Sequence, residues 1–380
     1  MNSEGIILPP AILGVIGGGQ LGRMFVQAAQ RMGYSTVVLS PDRGSPGASI
    51  SEHVIEGRVD DLGALRELAA MAESVTVEFE NVSAAGLRWL ARSRPVRPGW
   101  KSIWVAQNRI REKRFLASHG FPLPLWHVLR TDSDLDSLDA FESRPAILKT
   151  AGSGYDGKGQ IRVSGRRDIP EAWEQLGRVP CVVESVVHFA AEISCIVARG
   201  VDGVTVPFPV FWNQHSHHIL DITVAPAPVG PVATSEAQRI ATQVAEHLNV
   251  IGLLTVEMFL TTEGEVLINE LAPRPHNSGH LTIEAASTSQ FEQQVRALCG
   301  LPLGSGRLRE PAAMANLLGE LWSHGEPDWR NCLAGDPEVA LHLYGKEPRP
   351  ARKMGHLTVT DSDPVSAQTR VVSARKRLLP

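Results

Sequence analysis

The chain lacks the devices that would mark it for a membrane, an oxidising compartment or a long nucleic-acid surface. The apolar run Ile12 to Ile16 has the length of a strand and falls far short of a membrane span. Met1 to Pro10 carries neither a basic start nor a small-residue cleavage site, so no signal peptide is expected. Asn81-Val82-Ser83 fits a glycosylation pattern but has no secretory route to use it. The four cysteines, Cys181, Cys195, Cys299 and Cys332, are scattered without paired ligand spacing. They are expected to be reduced core residues of a cytoplasmic protein, neither zinc ligands nor a disulfide frame. A formal charge of −4 argues against a broad nucleic-acid surface, while leaving room for local basic clusters that bind phosphate. No credible Ser-His-Asp or Cys-His arrangement is present.

What remains is a globular composition, 43% apolar and 21% charged, in 380 residues, long enough for two or three domains. The opening segment alternates short apolar strands (Ala11 to Ile16, Thr36 to Leu39, Ser74 to Glu78) with helices (Gln20 to Met32, Leu62 to Met71). That alternation predicts a parallel sheet covered on both faces, an α/β unit. Gly17-Gly18-Gly19-Gln20-Leu21-Gly22 joins the first strand to the first helix with G-x-G-x-x-G spacing, where backbone N–H groups and a helix N-terminus approach an anion. Ser40-Pro41 stands where a dinucleotide enzyme needs an acidic residue, so the turn is expected to serve a different phosphate-bearing ligand.

A proline-punctuated connector, Arg94 to Gly99, leads to a helix expected over Ile103 to His119, with Arg109 and Lys113 four residues apart on one face. The strand Ala146 to Lys149 then runs into the glycine-rich stretch Ala151 to Gln160 and a second strand, Ile161 to Val163. A P-loop would end on a helix and in G-K-S/T; a hairpin of this kind predicts a flap whose amides close over phosphates, with Lys149 at its root. Two more strands follow, Cys181 to Glu184 and Glu192 to Val197. The link Val186-Val187 between them can offer backbone groups to an adenine edge, and a carboxylate can take ribose hydroxyls. Three histidines, His215, His217 and His218, lack the cysteine or carboxylate company of a zinc site, and His215 is read as a phosphate or substrate contact.

The densest chemistry lies in residues 269–280, Asn269-Glu270-Leu271-Ala272-Pro273-Arg274-Pro275-His276-Asn277-Ser278-Gly279-His280. It is read as a loop following the strand Val266 to Ile268, which pairs with Thr255 to Leu260. With Glu263 and Gly264 as the two turn residues, Glu257 and Glu270 face each other, at the about 5 Å of a cross-strand pair. Two carboxylates that close call for a cation, and Mg²⁺ is the hard, oxygen-seeking one usually held by one or two carboxylates plus nucleotide phosphates. Asn269 adds an amide oxygen. Near the end of the chain, Lys346, Arg349, Arg352 and Lys353 form a basic turn that reads as a phosphate-binding patch or as a solvated loop.

These segments together resemble the ATP-grasp superfamily and, within it, the N5-carboxyaminoimidazole ribonucleotide synthases, the ATPase subunits of phosphoribosylaminoimidazole carboxylase. Gly17 to Met24, Gly154-Tyr155-Asp156-Gly157-Lys158-Gly159-Gln160, residues 269–280 and Arg352 to His356 carry the likeness over nearly the whole chain. The resemblance implies a Rossmann-like parallel-sheet domain over residues 1–111 and an ATP-grasp domain over 112–300 with a nucleotide lid near 122–188. A small C-terminal domain over 301–380 would close the substrate site. It implies an enzyme using ATP and Mg²⁺ to activate bicarbonate as carboxyphosphate and carboxylate 5-aminoimidazole ribonucleotide. Such an enzyme would be a cytoplasmic homodimer, linked to the mutase that uses its product.

On this chain Arg109, Lys149 and the Gly154 to Gln160 flap would hold ATP phosphates. Glu184, Ser185, Val186 and Val187 would line adenine, Glu192 the ribose, and His215 would lie near the nucleotide. Glu257, Asn269 and Glu270 would ligate Mg²⁺. Arg274, His276, Asn277 and His280 would face bicarbonate, the acyl phosphate and the imidazole nucleotide. Gln20, Leu21, Glu78, Tyr155, Lys346, Arg352 and Lys353 would touch the imidazole nucleotide. Asn108 and Ala151-Gly152-Ser153 depart from the family pattern, which has an aspartate and a more basic run there. A formate-dependent glycinamide ribonucleotide transformylase is the neighbouring reading, disfavoured by Asn277-Ser278-Gly279-His280. A catalytically silent nucleotide-binding regulator is disfavoured by the presence of Lys149, Glu257 and Glu270.

Overall fold

The computed structural model describes residues 5–152 and 158–379. Gly154, Tyr155, Asp156 and Gly157 of the expected flap lie outside the described residues. In the first unit β1 (Ile12–Ile16), β2 (Ser35–Ser40), β3 (His53–Glu56) and β4 (Ser74–Val77) form a parallel sheet in the order β3-β2-β1-β4. β3 escapes sequence reading because it is a short, half-exposed edge strand with little apolar content. One face of the sheet packs Leu13, Val15 and Val38 against Met24 and Phe25 of the helix Gln20–Arg31. The other packs Ile16, Val37 and Leu39 against Leu65 and Leu68 of the helix Leu62–Met71.

The single helix expected over Ile103 to His119 is two, Trp100–Ala106 and Arg109–Ser118. Asn108 breaks it: its backbone is extended, and its side-chain Oδ1 accepts from the N–H groups of Ile110 and Arg111 at 3.1 and 3.2 Å. Asparagine is among the best N-caps, so the residue that departs from the family pattern still starts the helix well.

A small antiparallel sheet follows, made of β5 (Trp126–Leu129), β6 (Ala146–Thr150), β7 (Gln160–Val163) and β8 (Cys181–Ser185) in the order β5-β8-β6-β7. Its core closes on Trp173 of the helix Ile169–Gln175. The remaining strands build one large sheet. They are β9 (Phe189–Arg199), β10 (Thr205–Pro207), β11 (Phe211–Ser216), β12 (Ile219–Ala225), β13 (Gly252–Thr261), β14 (Val266–Ala272), β15 (Ala312–Leu318), β16 (Ala340–Leu343) and β17 (Lys353–Thr360).

Its order is β14-β13-β9-β11-β12-β15-β17-β16, with β10 on the margin of β9. The β12–β15 ladder carries the sheet from the middle segment into the C-terminal one, so the boundary drawn at 300 divides the sequence and not the sheet. The helix Gln290–Cys299 likewise sends Phe291, Val295 and Leu298 into the core of the first unit. Among the described residues no helix is long and apolar enough to cross a membrane. All four cysteines are buried and unpaired.

Two local details correct the hairpin reading. The loop between β13 and β14 has four residues, Thr262 to Glu265, and is closed by Thr261 N–H to Glu265 C=O at 2.8 Å, with Gly264 at φ +90°. Asn269 is then a bulge: Ile268 lies opposite Met258, and Glu270 lies opposite Glu257. The longer loop and the surplus residue offset each other, so the two carboxylates meet as expected, for a different reason. β14 also runs to Ala272, making the first four residues of 269–280 strand rather than loop.

Candidate active site

Lys149, at the end of β6, places its Nζ 3.0 Å from Glu184 Oε2 and 3.4 Å from Asn269 Oδ1. Lys113 approaches the same pair from the helix Arg109–Ser118, 3.5 Å from Glu184 Oε1 and 3.0 Å from Asn269 C=O. Despite burial, the two lysines hold the Glu184 carboxyl down to about 2. Glu184 was expected along the adenine; its carboxylate turns to Lys113 and Lys149. Arg109 reaches within 3.8 Å of Glu270 and donates to Thr150 C=O at 3.2 Å, while its N–H bonds Ala151 C=O at 2.8 Å. Ala151 is buried at that contact, which leaves little room for the bulkier basic residue of the family pattern. Of the flap, Gln160 pairs with Lys149 and Gly159 C=O accepts from Thr150 N–H, so its described end, from Lys158 on, is anchored beside Lys149.

Glu257 and Glu270 respond oppositely to their shared position. Burial and the charge of Glu257 raise the Glu270 carboxyl, whereas against burial His276, 2.9 Å away, draws Glu257 down to about 2. Among the described residues no group of three or more His, Cys, Asp or Glu side chains is placed to hold a metal by itself. Two opposed carboxylates with an amide oxygen beside them suit Mg²⁺, which takes its remaining ligands from phosphate and water.

Arg274 donates through Nε to Glu80 at 2.5 Å, and against burial Glu80, Glu257 and Glu270 raise its guanidinium. Glu80 was not singled out from the sequence. Its signal was position, two residues past Glu78 at the C-terminal end of a parallel strand, where ligands of open α/β sheets gather. His276 contacts Glu257, and both amide atoms of Asn277 are buried without a hydrogen-bond partner. His280 does not face the site as expected: it is fully buried between Phe291 and His356, with Nδ1 3.3 Å from Gln290 Nε2. Burial holds its imidazole well below the usual histidine range.

The glycine-rich turn holds an anion, and the anion is internal. Glu78 accepts from the N–H of Gly19 and from that of Gly22 at 2.8 Å. A Cβ on Gly19 would lie 2.8 Å from Glu78 Oε1, and one on Gly17 2.4 Å from Glu78 Cγ, so these glycines make room for the carboxylate. Two N–H groups of the turn are thus already taken by Glu78. Burial raises the Glu78 carboxyl. Gln20 Oε1 accepts from Lys346 Nζ, joining the first unit to the C-terminal one. Burial, then Arg352, lowers Lys346 to about 8. Lys346 also donates to Lys353 C=O at 3.2 Å, and Arg352 to Glu347 C=O at 3.0 Å. Leu21, partly buried, packs on the core of the first unit.

At the other end, Ser185 and Val186 give their N–H groups to Leu125 and Pro145 carbonyls at 2.8 and 2.9 Å. Val186 N–H is thus not available to an adenine edge, which leaves Val187. Glu192 and His215 are joined by a short hydrogen bond across β9 and β11, so the ribose and nucleotide candidates sit together. His217 and His218 take positive φ in the β11–β12 turn and are exposed.

Fold and site together define an ATP-binding ligase of the ATP-grasp class. Family models match as the ribonucleotide synthetase preATP-grasp domain over residues 11–107, the ATP-grasp domain over 114–291 and the phosphoribosylaminoimidazole carboxylase C-terminal domain over 312–370. The N5-carboxyaminoimidazole ribonucleotide synthase of Bacillus subtilis (strain 168) is 40% identical over 361 residues, covering 94% of this chain and 93% of that protein. A solved ADP complex of an N5-carboxyaminoimidazole ribonucleotide synthetase superposes with TM-score 0.90 at 40% identity, over 97% of each chain. The Aspergillus clavatus synthase in complex with ADP and 5-aminoimidazole ribonucleotide gives TM-score 0.87 at 32% identity, over 97% of this chain and 98% of that one. The chain belongs to the N5-carboxyaminoimidazole ribonucleotide synthase family.

Proposed function

We propose that the protein carboxylates the exocyclic amine of 5-aminoimidazole ribonucleotide with ATP and bicarbonate, giving N5-carboxyaminoimidazole ribonucleotide, ADP and phosphate. The observation that carries this reading is the convergence of Lys149, Arg109, the Glu257–Glu270 pair and Arg274 within one site bounded by the Gln20–Lys346 bridge. A bicarbonate oxygen attacks the γ-phosphorus and ADP departs, leaving carboxyphosphate; the substrate amine then attacks the carboxyl carbon, phosphate leaves, and the nitrogen loses its proton.

Lys149, Arg109 and Lys158 with the flap amides offset charge on the phosphoryl oxygens, and Arg274 with His276 holds bicarbonate and the acyl phosphate. Glu257, Glu270 and Asn269 would hold Mg²⁺, which neutralises phosphate charge when bound. Lys346, Arg352 and Lys353 take the 5′-phosphate of the imidazole nucleotide, and Gln20 and Glu78 its ring end. The flap excludes water that would hydrolyse carboxyphosphate. Reduced, buried cysteines agree with a cytoplasmic location. Family likeness supports a homodimer, which sedimentation tests, and a mutase that takes the product.

Phosphate release followed with each precursor decides the assignment. Turnover is expected only with 5-aminoimidazole ribonucleotide and bicarbonate. Equal turnover with glycinamide ribonucleotide and formate would make the protein a transformylase.

A further inference from the structure

A row of polar side chains crosses the central sheet amid apolar neighbours. Ser194 lies opposite Glu257 in the β9–β13 ladder, and Asn213 lies opposite Thr223 in the β11–β12 ladder. Ser194, Asn213, Thr223 and Ser278 are all buried. Thr223 Oγ1 donates to Asn213 Oδ1 at 3.1 Å, and Asn213 Nδ2 donates to Ser194 Oγ at 2.9 Å. Ser194 Oγ is 3.0 Å from Ser278 Oγ, which is 2.9 Å from His276 Nδ1. His276 Nε2 completes the chain 2.9 Å from Glu257 Oε1.

The chain has a direction. The Ser278 backbone N–H can only donate, and it reaches His276 Nδ1 at 3.3 Å. Nδ1 therefore presents a lone pair, which Ser278 Oγ–H also meets, and the ring proton sits on Nε2 toward Glu257. Ser278 can donate to Nδ1 while accepting from Ser194, and Ser194 can donate while accepting from Asn213. Both serine hydroxyls are used in both senses, and Thr223 donates at the head of the row. A satisfied buried network adds little stability over apolar side chains of the same shape, so its return is a single fixed geometry.

We propose that Ser194 and Asn213 are positioning residues: through Ser278 they fix the tautomer and rotamer of His276, and through His276 the Glu257 carboxylate. This deepens the proposed function, since it rests on Glu257 as a metal ligand. Partners of this kind are worth about ten-fold or more in activity at metal sites.

The test compares Ser194→Val with Ser194→Thr, which share a shape and differ by the hydroxyl. Steady-state kinetics are read alongside ¹⁵N spectra of the imidazoles in the metal-free protein, with His276 assigned by His276→Gln. Ser194→Val is expected to lower kcat about ten-fold relative to Ser194→Thr at similar KM for ATP and similar Tm, with loss of the fixed Nε2–H tautomer of His276. Equal kcat in the two variants, or an unchanged tautomer in Ser194→Val, would overturn the proposal. If neither variant folds, Ser194→Ala is judged by the same two readouts against the native protein. Unaltered Mg²⁺ dependence in Glu257→Gln would remove the metal reading, while the tautomer spectra still judge the relay by themselves.

Discussion

Glu257 and Glu270 stand directly opposite each other across β13 and β14, in register because Asn269 is one residue too many for its strand. Burial and like charge already raise the Glu270 carboxyl. Glu270→Gln removes one of the two proposed metal carboxylates and relieves repulsion at the same time. Turnover is expected to fall by about ten-fold or more, with higher Mg²⁺ needed for half-maximal rate, while Tm holds or rises. Near-native turnover at limiting Mg²⁺ would contradict the pairing.

Glu184 serves two lysines, and the buried one depends on it most. Lys113 has 1% of its side chain exposed. Glu184→Gln leaves its ammonium short of countercharge, at an expected stability loss of about 3 kcal/mol by urea unfolding. The folded pKa of about 2 lies below the ordinary 4.5, so the carboxylate's contribution is complete above 4.5 and is lost as pH falls through about 2. The difference between native protein and variant should shrink across that window. A constant difference would mean the loss is steric.

Lys346 is poised near neutrality. With its ammonium lowered to about 8, KM for the imidazole nucleotide is expected to rise as pH passes that value. Arg352 is the second cause of the lowering, after burial. Arg352→Ala should therefore raise KM for the nucleotide and move the pH at which it climbs upward. An unchanged KM would detach this basic turn from the site.

Gly19→Ala puts a methyl group 2.8 to 2.9 Å from the Glu78 oxygens, which must leave the turn. KM for the imidazole nucleotide is expected to rise about ten-fold, the worth of one charge-assisted hydrogen bond, with little change in Tm because Glu78 is a movable side chain. An unaltered KM with a large drop in Tm would make Glu78 a structural plug for the turn.

Much of this was legible in the residues. The parallel alternation of the first unit, the strand–flap–strand around Lys149 and the crowding of 269–280 are local patterns, and local patterns survive folding when periodicity and turn chemistry agree. Misreadings came where a single side chain overrode the pattern. Asn108 capped and split a helix that apolar periodicity ran together. His280 looked like a site residue because of its neighbours in sequence, but its neighbours in space are Phe291 and His356.

By itself the sequence determined which chemistry was present: the carboxylates, the cations, the glycines and the strands that carry them. Only the tertiary structure decided what each of them meets. Glu78 fills the glycine turn that spacing offered to a phosphate, Glu184 turns to Lys113 and Lys149, and Ser194, unremarkable within an apolar strand, becomes a link between Thr223 and Glu257. The physical reason is that strand content is set by residue type along the chain. Partners across a sheet are set by register, and here one surplus residue at Asn269 sets it.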